Sequence, residues 1–112
     1  MKNMIINKEK VYKLCSQIKK NHFSTYKLIS DYLNISPRLV GQILKVNPYK
    51  EVPCHRVISS NYFIGGFRGQ WGKGDRVDEK MKKLAEEGLT FNERGYLNKE
   101  LRDKFMFKNF HE

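Results

Sequence analysis

From Ser24 to Lys45 the chain offers two short amphipathic segments with only Asn34-Ile35 between them, and that spacing admits few folds. Ser24 or Thr25 can cap the first segment, which sets Leu28, Ile29, Tyr32 and Leu33 on one face and ends at Asn34. Ser36-Pro37 opens the second with a side-chain cap and a proline at the first helical position, where the missing N–H has no helical partner to lose. In that second helix Leu39, Val40, Ile43 and Leu44 form an apolar stripe. Arg38, Gly41, Gln42 and Lys45 recur at i, i+3, i+4 and i+7 on the opposite side. The pattern predicts a helix-turn-helix whose second helix turns Arg, Gln and Lys outward, a face suited to DNA. Gly41 in mid-helix costs about 1 kcal/mol relative to alanine, so its place on the outward face points to close approach by a phosphate or a base.

The rest of the chain also reads as helical. Asn7 is expected to cap a first helix with Val11, Leu14, Cys15 and Ile18 on its buried side and His22-Phe23 at its end, which makes Cys15 a packing residue. Arg76 to Glu87 predicts a helix that buries Val77, Met81, Leu84 and Ala85 and stops at Gly88. Ile64 to Gly72 reads as a glycine-rich loop able to wall a flat pocket, with Trp71 as packing or a lid. Its G-x-G-like spacing is weak as a dinucleotide signal, since no βαβ unit surrounds it. Thr90 to Glu112 predicts a short strand and then a helix capped by Asn98, carrying Leu101, Phe105 and Phe110. The expected fold class is therefore mainly α: one compact domain, residues 1–112, with a winged-helix-like helix-turn-helix and very little β.

Charge narrows the class of partner. Lys and Arg number 22 against 12 Asp and Glu, a net charge of +10 that favours a polyanion, nucleic acid first. No stretch is long and apolar enough for a membrane span, and no signal peptide or lipidation motif is visible. Two cysteines without a secretion signal suggest free thiols in a reducing cytoplasm. Neither belongs to a Cys-x-x-Cys pair and the three histidines are scattered, so no metal site is expected.

The chemistry concentrates in Val52-Pro53-Cys54-His55-Arg56-Val57-Ile58. A thiol becomes a strong nucleophile on ionising, and adjacent positive charge or a base reached through water favours that. Neighbouring side chains seldom meet, so His55 is expected to take the proton through a bridging water. Pro53 limits backbone freedom just before the nucleophile.

Taken with the Thr25-Tyr26 opening of one helix, Arg38-Leu39-Val40-Gly41 opening the next, Asn47-Pro48, Gly66-Phe67-Arg68-Gly69 and Glu87-Gly88, this segment resembles the C-terminal domain of O6-alkylguanine-DNA alkyltransferases over about residues 11–91. The resemblance implies that Cys54 receives the alkyl group from a flipped guanine in double-stranded DNA, once and irreversibly, by a monomer without metal or cofactor. It implies that His55, Glu87 and Asn47 form a relay that deprotonates Cys54. Arg38 would fill the gap left by the extruded base and Tyr26 would crowd the target phosphate, with Gly41, Gln42, Lys45 and Arg56 completing the DNA face. Tyr26, Pro53, Val57, Phe67, Arg68 and Gly69 would form the substrate pocket.

The chain departs from that family at several positions. The N-terminal domain usual in the family has no counterpart here, and residues 92–112 form an extension expected to cover apolar surface in its place. The linker between Asn47-Pro48 and Val52 is one residue short, which bears on the Asn47 assignment, and Gln70 to Asp75 reads as an insertion. Glu51 would oppose ionisation of the thiol unless it points to solvent. Phe67 stands where tyrosine is more usual, and Arg68 where a small residue is common, which predicts a narrowed pocket. Two other classes stay open. One is a non-enzymatic alkyltransferase-like damage-binding protein, although such proteins typically replace the cysteine. The other is a helix-turn-helix regulator with a sensor cysteine, expected to dimerise on a palindrome.

Overall fold

The structure, a computed structural model, describes residues 2–112, with side-chain environments from Ile5 onward. Helix α1 spans Lys2–Cys15, α2 Tyr26–Leu33, α3 Pro37–Lys45, α4 Asp75–Glu86 and α5 Arg102–Phe105. The strands are two-residue pairs: β1 (Ser24–Thr25) runs parallel to β2 (Val57–Ile58), and β3 (Gly66–Phe67) antiparallel to β4 (Gln70–Trp71). The fold is thus α-dominated, as the patterning predicts.

The helix-turn-helix forms through the residues that signal it. Thr25 Oγ1 accepts from Leu28 N at 3.1 Å to cap α2, and Asn34 ends it in the left-handed region at φ 58°. Ser36 Oγ accepts from Leu39 N at 3.0 Å to cap α3, whose Val40, Ile43 and Leu44 are buried. A Cβ placed on Gly41 would meet nothing within 4 Å, so the fold itself does not require glycine there.

Helix α1 corrects two expectations. Asn7 lies inside the helix rather than capping it, because one asparagine costs less than about 1 kcal/mol in a helix interior, too little to stop the segment. The helix ends at Cys15, where Gln17 N and Ile18 N turn back onto Leu14 O and Cys15 O, so His22-Phe23 lies beyond it. Phe23 instead pairs with the tail: its N donates to Phe105 O at 3.0 Å, and its O accepts from Phe107 N at 2.6 Å.

Two apolar clusters meet at β2. Successive strand residues point to opposite sides, so Val57 packs with Val11, Leu14, Ile29, Val40 and Ile43, whereas Ile58 packs with Phe23, Ile64, Val77, Leu84, Leu89 and Leu97. The turn carrying Cys54 sits immediately before this junction. Residues 92–112 reach both clusters: Leu101, Phe105 and Met106 pack on the second, and Phe107 and Phe110 on the first. Instead of one capped helix, the tail forms a 3-10 turn at Lys99–Leu101 and the single turn of α5. Asn98 spends its carboxamide on Thr90 Oγ1 at 2.8 Å, so it makes no side-chain cap.

Candidate active site and nucleic-acid interface

Pairing of β1 with β2 places the start of α2 beside the turn Cys54–Arg56. Cys54 N donates to Val52 O at 2.8 Å and Arg56 N to Pro53 O at 3.0 Å, which sets the turn tightly. Cys54, half-buried, borders a cavity of 540 Å³. Helix α3 contributes Arg38, Gly41, Gln42, Leu44 and Lys45 to its wall, so the basic outward face and the thiol share one opening.

Glu87 organises the other side of the turn. Helix α4 ends in a Schellman arrangement: Gly88, at φ +87°, donates its N–H to Ala85 O at 2.9 Å, and Leu89 N donates to Leu84 O at 2.8 Å. Glu87, at the C-cap, is thereby aimed at the Cys54 turn. Its Oε2 lies 2.9 Å from His55 Nε2; Arg56 donates to both carboxylate oxygens at 3.0 and 3.1 Å, and Asn21 N donates to Oε1 at 3.0 Å. Burial pushes the Glu87 carboxyl up, but these donors outweigh it and hold the group at about 2. Burial lowers the pKa of His55 against the opposing pull of Glu87, so the imidazole stays neutral at physiological pH and able to accept a proton.

Several expected site residues sit elsewhere. Arg56, expected on the DNA face, is turned inward: its guanidinium is committed to Glu87 and, at 2.8 Å, to Ile18 O, with only 16% of the side chain exposed. Asn47 makes no contact with His55. Its carboxamide donates to Tyr49 O and Val52 O and accepts from Tyr49 N, pinning the shortened linker that leads to Cys54. Val57 is fully buried in the first apolar cluster, and neither it nor Pro53 borders the cavity, because the strand pairing turns this backbone inward. Glu51 is exposed to solvent. Burial pushes the Cys15 thiol far up, which leaves it protonated and inert.

The far wall is a hairpin rather than a loop. Arg68 (φ 49°) and Gly69 (φ 95°) form the two-residue turn between β3 and β4, both in the left-handed region that a type I′ turn requires. Tyr26, Phe67, Arg68 and Gly69 line the cavity as expected. Arg68 is exposed at the tip, with its guanidinium 5.0 Å from the Phe67 ring centroid, and its carbonyl accepts from Arg76 Nη1. Tyr26 donates to Gly66 O at 3.3 Å; burial raises its phenol to about 12, so it stays a neutral donor.

Lys80 is the residue that sequence reasoning missed. It is fully buried and donates to Ile64 O at 2.7 Å and Gly66 O at 2.9 Å, with Tyr26 Oη 3.4 Å away. It thereby ties α4 to the strand that walls the cavity. Burial drops its ammonium to about 7. The signal was present: Lys80 follows Val77 by three and precedes Leu84 by four, on the buried stripe itself, whereas the expected Ala85 is exposed and Met81 only half-buried. Leu44 was read as core, yet it also faces the cavity. Among the described residues no three His, Cys, Asp or Glu side chains gather as a metal site, and no helix is long and apolar enough to cross a membrane.

Known proteins share the sequence pattern and the fold of this chain. A methylated-DNA–protein-cysteine methyltransferase of Pyrobaculum aerophilum is 38% identical over 78 residues, covering 69% of this chain and 49% of that protein. The crystal structure of the O6-methylguanine-DNA methyltransferase from Pyrococcus kodakaraensis superposes with a TM-score of 0.62 at 37% identity, over 73% of this chain and 46% of that one. The chain thus spans about half the length of these relatives. S. pombe Atl1, solved in complex with damaged DNA containing O6-carboxymethylguanine, matches at a TM-score of 0.72 and 29% identity over 96% of this chain and 97% of its own. A family model described as the DNA binding domain of 6-O-methylguanine DNA methyltransferase matches residues 7–89, and the chain belongs to that family.

Proposed function

We propose that this protein repairs DNA by taking the alkyl group from O6-alkylguanine onto Cys54 in a single, stoichiometric event. The observation that carries the reading is the cavity in which a free thiol, Cys54, opens onto the same space as the outward face of α3. The basic face of α3 supplies phosphate contacts. Arg38 at its N-terminal end, exposed beside the cavity, fills the stack when the damaged nucleotide turns out, offsetting part of the few kcal/mol that extrusion costs. Leu44 and Phe67 then offer apolar walls to the extruded purine.

Glu87 accepts from His55 Nε2, which leaves Nδ1 to take the thiol proton through water. The thiolate attacks the carbon on O6. The S–C bond forms as the C–O bond breaks, the electron pair stays with the guanine oxygen, and the proton given up by the thiol restores the neutral base. The alkyl group stays on sulfur, so each molecule acts once.

Atl1 makes damage binding without transfer the competing reading. A free cysteine bordering the cavity favours transfer, since proteins of the non-enzymatic kind typically replace it. Intact-mass measurement after mixing with a duplex containing O6-methylguanine tests this. One methyl group per protein molecule is expected, whereas tight binding with no gain in mass would assign the chain to damage recognition.

A further inference from the structure

Residues 16–23 join α1 to β1, and two of their backbone groups meet the charged centre of the site. Asn21 N donates to Glu87 Oε1 at 3.0 Å, and Ile18 O accepts from Arg56 Nη1 at 2.8 Å. Arg56 in turn grips the carboxylate whose Oε2 faces His55 Nε2. Contacts made by main-chain atoms depend on where a loop runs and not on which side chains it carries. Asn21 stands in the left-handed region at φ 70°, so the loop turns sharply at the residue whose N–H reaches Glu87. Something must therefore hold the path of this loop.

The tail fastens it near both ends. At the start, Gln17 Nε2 donates to His111 O at 2.6 Å and Gln17 Oε1 accepts from His111 N at 3.0 Å. At the end, Phe23 exchanges its backbone bonds with Phe105 and Phe107, and the His22 ring meets that of Phe105 edge-on at 6.0 Å. Between these points the tail is itself anchored: Phe110 stands edge-on to Phe107 at 5.1 Å and to Tyr32 of α2 at 6.3 Å. Covering apolar surface needs only the rings. A carboxamide spent in both directions on one residue's backbone also fixes register between loop and tail. We propose that residues 105–111 are a positioning element for the alkyl acceptor, holding the 16–23 loop against Glu87 and so fixing the carboxylate that orients His55. Resting on the alkyl transfer proposed above, this gives the tail a part in the reaction without touching substrate. With the strap slack, Asn21 N–H and Ile18 C=O lose their fixed places, Glu87 and Arg56 share a looser seat, and the imidazole is less often oriented to take the thiol proton.

A double-variant cycle in the full chain tests this. Single-turnover methyl transfer from a duplex carrying O6-methylguanine is timed for wild type, Gln17→Ala, Glu87→Gln and the two combined, under conditions where each is folded. Gln17→Ala should slow wild type about fivefold, the size of one neutral hydrogen bond, and should slow the Glu87→Gln protein no further. Equal slowing in both backgrounds, or none in either, overturns the proposal. The second readout is the His55 imidazole, titrated by NMR in wild type, Gln17→Ala, Phe110→Ala and Glu87→Gln. Burial holds its pKa down, Glu87 pulls it up, and Arg56 and Lys83 oppose that pull. Slackening the carboxylate should therefore move the His55 titration downward in both tail variants, part of the way to its position in Glu87→Gln. A loss of stability alone leaves that titration in place, so a wild-type curve in both Gln17→Ala and Phe110→Ala overturns the proposal. If wild type takes no methyl group, the repair reading fails instead, and the His55 titration, which needs no DNA, still decides whether the tail seats Glu87.

Discussion

His55 Nε2 and Glu87 Oε2 lie 2.9 Å apart across two elements 32 residues distant in sequence, and the contact depends on how a helix ends. The Schellman turn at Gly88 places Glu87 beside the Cys54 turn, and Arg56 grips the carboxylate from the other side. One carboxylate therefore serves both the fold and the imidazole.

Removing that charge should separate the two roles. With its pKa held at about 2 against an ordinary 4.5, Glu87 contributes stability that is present above pH 4.5 and lost as the pH falls towards 2. Glu87→Gln should flatten the acid limb of a stability profile and slow methyl transfer, while DNA affinity changes little. Chemical unfolding across that pH range, with transfer rates at neutral pH, checks both; an acid limb identical to wild type would show that the carboxylate is not so held.

Lys80 adds a second rise of stability with pH, in the alkaline range. Burial lowers its ammonium from 10.5 to about 7, so between those values the unfolded chain keeps a proton the folded protein has released, and stability rises with pH. The slope from this group approaches about 1.4 kcal/mol per pH unit. Lys80→Met should remove that rise, and denaturant midpoints at about pH 7 and about pH 9 measure it. Parallel pH dependence in the two proteins would contradict the depressed value.

Arg38 and Arg56 provide a paired test of the DNA face. Arg38 is exposed beside the cavity, so Arg38→Ala should slow repair of duplex DNA much more than reaction with the free modified base, with little change in stability. Arg56→Ala breaks an ion pair with little exposure and should cost about 3 kcal/mol of stability. Thermal melts and salt-dependent binding distinguish them. Equal losses of Arg38→Ala on both substrates would remove it from base extrusion.

Much of the scaffold was legible because it rests on local signals. Caps at Thr25 and Ser36, the proline after Ser36, Asn34 and Gly88 each satisfy backbone groups within a few residues, so their meaning survives in one dimension. Cys54, His55 and Glu87 were legible through resemblance, and the structure brings the last two together. What escaped depends on distant partners. Arg56 looks like a surface cation until Glu87 and Ile18 are seen to bind it, and Asn47 looks like a relay member until the shortened linker draws its carboxamide onto Tyr49 and Val52. Lys80 was hidden by the rule that lysines face water, which fails where two carbonyls wait inside.

The central claim is that Cys54 alone accepts the alkyl group. Proteolysis and peptide mapping after reaction with an oligonucleotide carrying isotopically labelled O6-methylguanine tests it most directly. The label should lie on the peptide containing Cys54, none on the one containing Cys15, and Cys54→Ser should bind the same duplex without becoming labelled. Label on Cys15, or transfer that persists in Cys54→Ser, would contradict the account.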